Sequence, residues 1–301
     1  MLEDLNIPED YDGLLYLAES VRNPPVLSRH HHVELELNVV AEGEITYIVD
    51  GRRSSFGKRS LLWMFPSQEH QLVDRSADAR YYVAVFKPGL IKRACRRDEY
   101  LPLRSTGQPG QPVLHCELKP AEFDLTCRIM DGLMGDGPDS ATLNRECGFG
   151  AFSDFAYRHS DPDWLNAGLR HLLLLSWRQQ RGRQGSRREV TLHATVAKAV
   201  QILGETDAPD DFETLARQCG VSSAYLSRLF RKQIGVSLTR YRNSVRLTRF
   251  WGGYRDGSSR SLLEAALAAG FGSYAQFFRV FTQTYGTNPR TASPGGRKKT
   301  Q

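Results

Sequence analysis

Gly270-Phe271-Gly272-Ser273-Tyr274-Ala275-Gln276-Phe277-Phe278-Arg279-Val280-Phe281-Thr282-Gln283-Thr284-Tyr285-Gly286-Thr287-Asn288-Pro289 is the stretch that decides the architecture of this chain. Phe277, Val280 and Phe281 share one face of a helix, and Ser273 stands where its hydroxyl can cap that helix. Ahead of it, Leu262 to Ala269 reads as a short apolar helix closed by Gly270. The same arrangement stands 51 residues earlier. Tyr225-Leu226-Ser227-Arg228-Leu229-Phe230, with Gly235 five positions on, answers Gln276 to Phe281, with Gly286 five on. A short helix from Phe212, Gly220 and Ser222 complete the first copy. Short helix, glycine turn and capped second helix are the grammar of a helix-turn-helix, written here twice.

Each second helix has an outward face. In the first copy it carries Ser223, Ala224, Ser227, Arg228, Arg231 and Lys232; in the second, Ser273, Tyr274, Ala275, Phe278 and Arg279. Arg228 and Arg279 are equivalent, and an arginine can grip guanine through two hydrogen bonds in the major groove. The helix between the copies, about Ser237 to Tyr254, is roughly 27 Å long at 1.5 Å per residue. That length suits two reading helices about 34 Å apart, one turn of duplex. Its arginines, Arg240, Arg242, Arg246 and Arg249, are expected to neutralise phosphates or to form a solvated face.

From about Val190 to Pro294 the sequence resembles the AraC/XylS family of bacterial transcription regulators, and residues 270–289 are similar to that family's signature almost position by position. Two departures stand out. Phe250 and the Gly252-Gly253 pair replace the small and aliphatic residues usual in the connecting helix, which bears on the angle between the units. After Pro289, Arg290-Thr291-Ala292-Ser293 replaces the family's aromatic-arginine ending, which bears on the final helix.

The 301 residues leave room for a second domain, and charge separates the two. From Val190 onward there are 16 basic and 7 acidic residues, a net of +9, whereas residues 1–189 hold 24 and 27, a net of −3. A basic part that meets a polyanion and a slightly acidic part that senses are the division this suggests. Hydrophobic residues at 40% supply cores, which excludes a disordered chain. The apolar runs, such as Leu172 to Leu175 and the longer Tyr81 to Phe86, are far short of the roughly 20 residues that span a bilayer, and the N-terminus lacks a signal-peptide pattern. Five scattered cysteines without a CxxC indicate neither a disulfide frame nor a zinc ribbon. A cytoplasmic protein with reduced thiols is expected.

The first 90 residues read as short strands: Val33 to Val40, Glu44 to Val49, Leu61 to Phe65 and Tyr81 to Phe86, with Asp50-Gly51 as a tight turn. Many short strands predict a small barrel or sandwich. Helices are predicted at 121–134, 143–159 and 163–180. The last carries Trp164, Leu165, Gly168, Leu169, Leu172, Leu175 and Trp177 as an apolar stripe, to be covered either by the barrel or by a second copy of the chain. Gly- and Arg-rich residues 181–189 read as a linker. The expected fold is therefore α+β in two domains: a sensor barrel over 1–118 with a helical packing or dimerisation segment over 119–180, and beyond the linker an all-α double helix-turn-helix over 190–294, with a basic tail at 295–301.

Within the barrel, His30, His32 and Glu36 have equal parity and would share one face of a strand. The spacing of these three residues, a glycine at Gly43 and a distant His70 resembles the two motifs of the cupin superfamily, with Ser67 in place of a usual glycine. That resemblance implies a jelly-roll barrel with His30, His32, Glu36 and His70 as ligands of one divalent metal, and such a set suits Zn, Mn, Fe or Ni alike. AraC-type regulators commonly carry a cupin-like effector domain, so the two resemblances agree. Three readings stay open: a metal centre, a metal-free effector pocket, and the polar side of an amphipathic strand. Tyr47, Trp63, Phe65 and Tyr82 are candidates to line an effector pocket.

The function expected is a DNA-binding transcription regulator with a sensor barrel for a small molecule or metal ion. Its expected partners are double-stranded DNA, an effector, a second copy of the chain and RNA polymerase. A metal-dependent cupin oxygenase or isomerase tethered to DNA is the alternative, but no further acid, base or nucleophile constellation accompanies the histidines.

Overall fold

The computed structural model describes residues 5, 7–19, 29–108, 110–134, 161–183, 190–205, 208–255, 261–286 and 288–290. The helix expected over 143–159 and the tail at 295–301 lie outside them.

The N-terminal part is built from two antiparallel sheets. One has the order β1 (Gly13–Glu19), β7 (Arg80–Phe86), β2 (Leu35–Glu42), β5 (Ser60–Met64), β8 (Leu114–Glu117). The other runs β6 (His70–Arg75), β3 (Glu44–Val49), β4 (Arg52–Gly57), β9 (Val190–Thr191). The Asp50-Gly51 turn joins β3 to β4 with positive φ at both residues (45° and 77°), the conformation whose twist suits a two-residue hairpin.

Alternation along the strands sorts side chains into two cores. Even-numbered residues of β2 and β5, such as Val40, Leu62 and Met64, face the space between the sheets with Ile45, Tyr47, Leu72, Val83 and Val85. The odd-numbered residues Leu35, Leu37, Val39, Leu61 and Trp63 face away from it. They are covered by α1 (Pro88–Ala94), α2 (Pro120–Met134) and α3 (Pro162–Gln180), from which Met130, Leu133, Leu165, Leu169, Leu172 and Trp177 descend onto the sheet. The stripe on α3 is thus buried within its own chain. Trp164 lies off it and is exposed.

Beyond the linker come α4 (Ala194–Gly204), α5 (Phe212–Gln218), α6 (Ser223–Ile234), α7 (Leu238–Arg255), α8 (Leu262–Ala268) and α9 (Tyr274–Tyr285). Both units form as the repeat predicts. Ser222 and Ser273 accept from the backbone N–H of Tyr225 and Gln276 and cap α6 and α9. Gly220 and Gly270 take positive φ (74° and 91°) in the two turns, a conformation that a side chain disfavours.

The two domains are not merely tethered. Strand β9, the first element past the linker, joins the barrel sheet beside β4. Ile48 of β3 and Val73 of β6 enter the core of the first unit with Val196, Phe230, Ile234 and Tyr241. The Gln71 amide and the Tyr241 hydroxyl, both buried, bond across this joint at 2.7 Å.

Candidate metal centre and nucleic-acid interface

His32, ahead of β2, Glu36 on β2 and His70 on β6 meet at the inner face of the barrel, all buried. The strand does not run unbroken from His30 to Glu36, because Val33 and Glu34 form a bend before β2 begins at Leu35. His30 instead reaches the cluster through an isolated bridge to His70, made by His30 N–H to His70 O at 3.1 Å and His70 N–H to His30 O at 2.8 Å. One ligand atom from each of His30, His32 and His70 lies within 4.8 Å of the other two.

Backbone carbonyls orient the rings. His32 Nδ1 lies 3.1 Å from the Glu34 carbonyl oxygen and His70 Nδ1 lies 3.0 Å from that of Gln68. A carbonyl only accepts, so each Nδ1 carries the proton and each Nε2 is turned toward the cluster. There both meet Glu36 Oε2, at 3.1 Å from His32 and 3.6 Å from His70. His70 Nε2 is buried and makes no hydrogen bond. Lone pairs on two imidazoles and a carboxylate repel unless a cation stands among them, a proton or a metal ion. Burial works to raise the Glu36 carboxyl, but with a proton added to the imidazoles the His32 hydrogen bond and the charge of His32 and His70 outweigh it and hold it well below the usual range.

Asn38 donates to Glu36 Oε1 at 2.6 Å, and the Tyr47 hydroxyl donates to Asn38. Burial, reinforced by Glu36, pushes the Tyr47 hydroxyl well above its ordinary range. Asn38 was legible as a supporting residue, since it shares the parity of Glu36. Tyr16 and Tyr81, which also line the cavity with Leu14, Val83 and Val85, were not. The space enclosed is about 30 Å³, water-sized, where small-molecule sites usually run to roughly 300 Å³ or more.

Of the aromatic residues expected to line a pocket, only Tyr47 does. Trp63 and Tyr82 lie on the opposite face of the sheet, buried beneath the helices, and Phe65 packs against that same cluster. Their neighbours Leu62, Met64, Tyr81 and Val83 take the inner face, because successive side chains alternate. An aromatic strand residue has no preference between two faces that are both buried.

In the helical part, Ala224, Ser227, Arg228, Arg231 and Lys232 are exposed along α6, and Ser273, Ala275, Phe278 and Arg279 are exposed at the start and along the outer face of α9. Ser223 and Tyr274 are half-buried at the first turns. Arg246 corrects the expectation for α7: its side chain is 7% exposed and pairs with Asp210. Arg242 bonds the Asp210 carbonyl and lies over the Phe212 ring, 4.2 Å from its centroid. Arg249 bonds the carbonyls of Leu203 and Glu205 at the end of α4. Burial and the charge of Arg246 lower both Arg242 and Arg249 from the usual arginine range. These three arginines fasten the segment after α4 to the connecting helix. The row looked solvated because a linear pattern does not show that α7 is wrapped by its neighbours.

The AraC-like ligand binding domain family matches residues 17–130, and a helix-turn-helix domain family matches residues 215–293. The chain belongs to the AraC-like transcription regulators. Among solved structures, ToxT from Vibrio cholerae O395 is 11% identical at a TM-score of 0.33, covering 94% of this chain and 96% of that one. The same protein bound to (E)-4-(8-methylnaphthalen-1-yl)but-3-enoic acid is 12% identical at 0.33, over 92% and 96%. The AraC-like transcriptional activator CuxR is 13% identical at 0.33, over 82% and 79%. Comparison with curated proteins gives no match. No described helix of this regulator is long and apolar enough to cross a membrane.

Proposed function

We propose that this AraC-like regulator senses a divalent transition metal through His30, His32, His70 and Glu36, and that occupancy of this centre adjusts how its helix-turn-helix units meet DNA. The observation that carries the reading is the meeting of three imidazoles around a water-sized space: His32 and His70, buried and oriented by backbone carbonyls, face the Glu36 carboxylate, and half-buried His30 stands beside them. When bound, a metal ion supplies the positive charge that this donor set lacks. An organic effector of ordinary size would have to displace the apolar side chains of the inner face.

Strand β6 offers a route for the signal. His70 faces the cluster, while the next residue, Gln71, faces outward and holds Tyr241 at the start of α7. A shift of His70 to meet a ligand moves Gln71 with it, since one backbone carries both. Elemental analysis of the purified full chain tests the first half: about one equivalent of transition metal is expected, and none for His70→Ala. The second half is tested by duplex binding with and without a chelator, expected to differ for the natural chain alone. A chain that takes up none of Zn, Mn, Fe or Ni on titration overturns the reading.

A further inference from the structure

The 51-residue offset allows the two reading helices to be compared position by position. Ala224 answers Ala275 and Arg228 answers Arg279, and these pairs are chemically alike. The other outward positions are not. Ser227, Arg231 and Lys232 in α6 answer Phe278, Thr282 and Gln283 in α9. At 100° per residue, Ala224, Ser227, Arg228, Arg231 and Lys232 fall within an arc of about 140°, one continuous face. The two faces are built from equivalent helix positions, but one carries three cations and the other a single cation beside an aromatic ring.

Phe278 is not a stray member of the core. Phe277, Val280 and Phe281 already fill the inner positions of α9, and all three are buried. Phe278 stays 39% exposed, with its ring set against Tyr274 at 6.3 Å between centroids. The first unit's exposed aromatic, Tyr225, has no such place. It answers Gln276, whose side chain is folded back to accept from Gly272 N–H at 2.9 Å, off the reading face. An apolar group amid a reading face has one complementary feature in the major groove, the C5-methyl of thymine.

We infer that the two units read chemically different half-sites. The first, through Arg228, Arg231 and Lys232, takes a guanine-containing half-site gripped largely by charge. The second, through Arg279 and Phe278, takes a guanine with a neighbouring thymine, recognised by its methyl group. This rests on α6 and α9 being the helices that enter the groove.

The test is selection by the full chain from a random duplex library, run with the natural chain, Phe278→Ser and Phe278→Leu. The natural chain is expected to select two half-motifs centred about 10 bp apart. Phe278→Ser, which installs the first unit's residue, should lose the thymine from one half only, keeping that half's guanine and the whole of the other. Phe278→Leu should keep the thymine. Replacing that thymine with deoxyuridine removes only the methyl and should weaken the natural chain about fourfold, the worth of one buried methyl-sized group, with no effect on Phe278→Ser. Arg231→Thr and Lys232→Gln should each lower the salt slope of binding by about one. The inference is overturned if Phe278→Ser selects an unchanged motif, or if the deoxyuridine duplex binds as tightly as the thymine one. If the natural chain enriches no sequence at all, the DNA-reading role of these helices fails first.

Discussion

The two helix-turn-helix units share a plan and differ in what completes their cores. The first borrows from the barrel: Ile48 and Val73 pack with Phe230 and Ile234, and Tyr241 is tied to Gln71. The second is closed by its own aromatic side chains, with Phe250 at 4.5 Å from Phe277 between centroids, and with Trp251, Phe271, Phe281 and Tyr285 around them. Phe250, which departs from the family's usual pattern, is central to that cluster. A unit whose core includes the sensor's sheet is mechanically placed to feel the sensor, and a unit with a private core is not. One repeat has thereby been divided into a coupled half and an independent half.

The largest effects expected from breaking this contrast come from the two central phenylalanines. Phe230→Ala and Phe277→Ala should each cost about 3–5 kcal/mol, as buried aromatic truncations do. Their reach should differ. Hydrogen exchange should show lost protection in β3 and β6 for Phe230→Ala, but only in α8, α9 and the end of α7 for Phe277→Ala. Unchanged protection of β3 and β6 in Phe230→Ala would falsify the shared core.

Tyr241→Phe sharpens the same contrast at the joint. It removes the hydroxyl that both accepts from and donates to the buried Gln71 amide, a loss of about 1–3 kcal/mol. It should also remove a pH dependence. Burial pushes the Tyr241 hydroxyl up to about 12, above its ordinary value of about 10. A group raised in the folded state contributes fully below its unfolded pKa and loses that contribution as pH climbs through the folded one. Denaturant unfolding of the natural chain should therefore weaken between about pH 10 and 12 by an increment that Tyr241→Phe lacks. If both proteins weaken in parallel, the slope has another source.

The smallest effect is expected from Arg246. Because it is turned inward against Asp210, Arg246→Ala should leave the salt slope of duplex binding unchanged, where loss of a true phosphate contact lowers it by about one. A fall in the slope would return Arg246 to the interface.

Much of the fold was legible because it is local. Ser222, Gly220, Ser273 and Gly270 announce the units through capping and turn chemistry, which depend on neighbours a few residues away. Within β2 alternation alone set Glu36 and Asn38 on one face, whereas His32 joins them across the bend at Val33 and Glu34, which parity did not show. Where two readings shared one local pattern, they could not be separated. Trp63 and Tyr82 sit on strands buried on both faces, so their aromatic character did not say which side they join. Arg242, Arg246 and Arg249 on α7 lie at helical spacing, as phosphate contacts or internal fasteners equally would.

Two helix-turn-helix units, the helices that present outward residues and the histidines that could converge were all readable along the chain. Packing was needed to bring His30 in by a bridge to His70 rather than along β2, to leave a water-sized inner cavity, and to let the barrel complete the first unit's core. The reason is range. Caps, turns and periodicity act over a few residues, whereas His30 and His70, or Gln71 and Tyr241, meet only because sheets and helices have already packed.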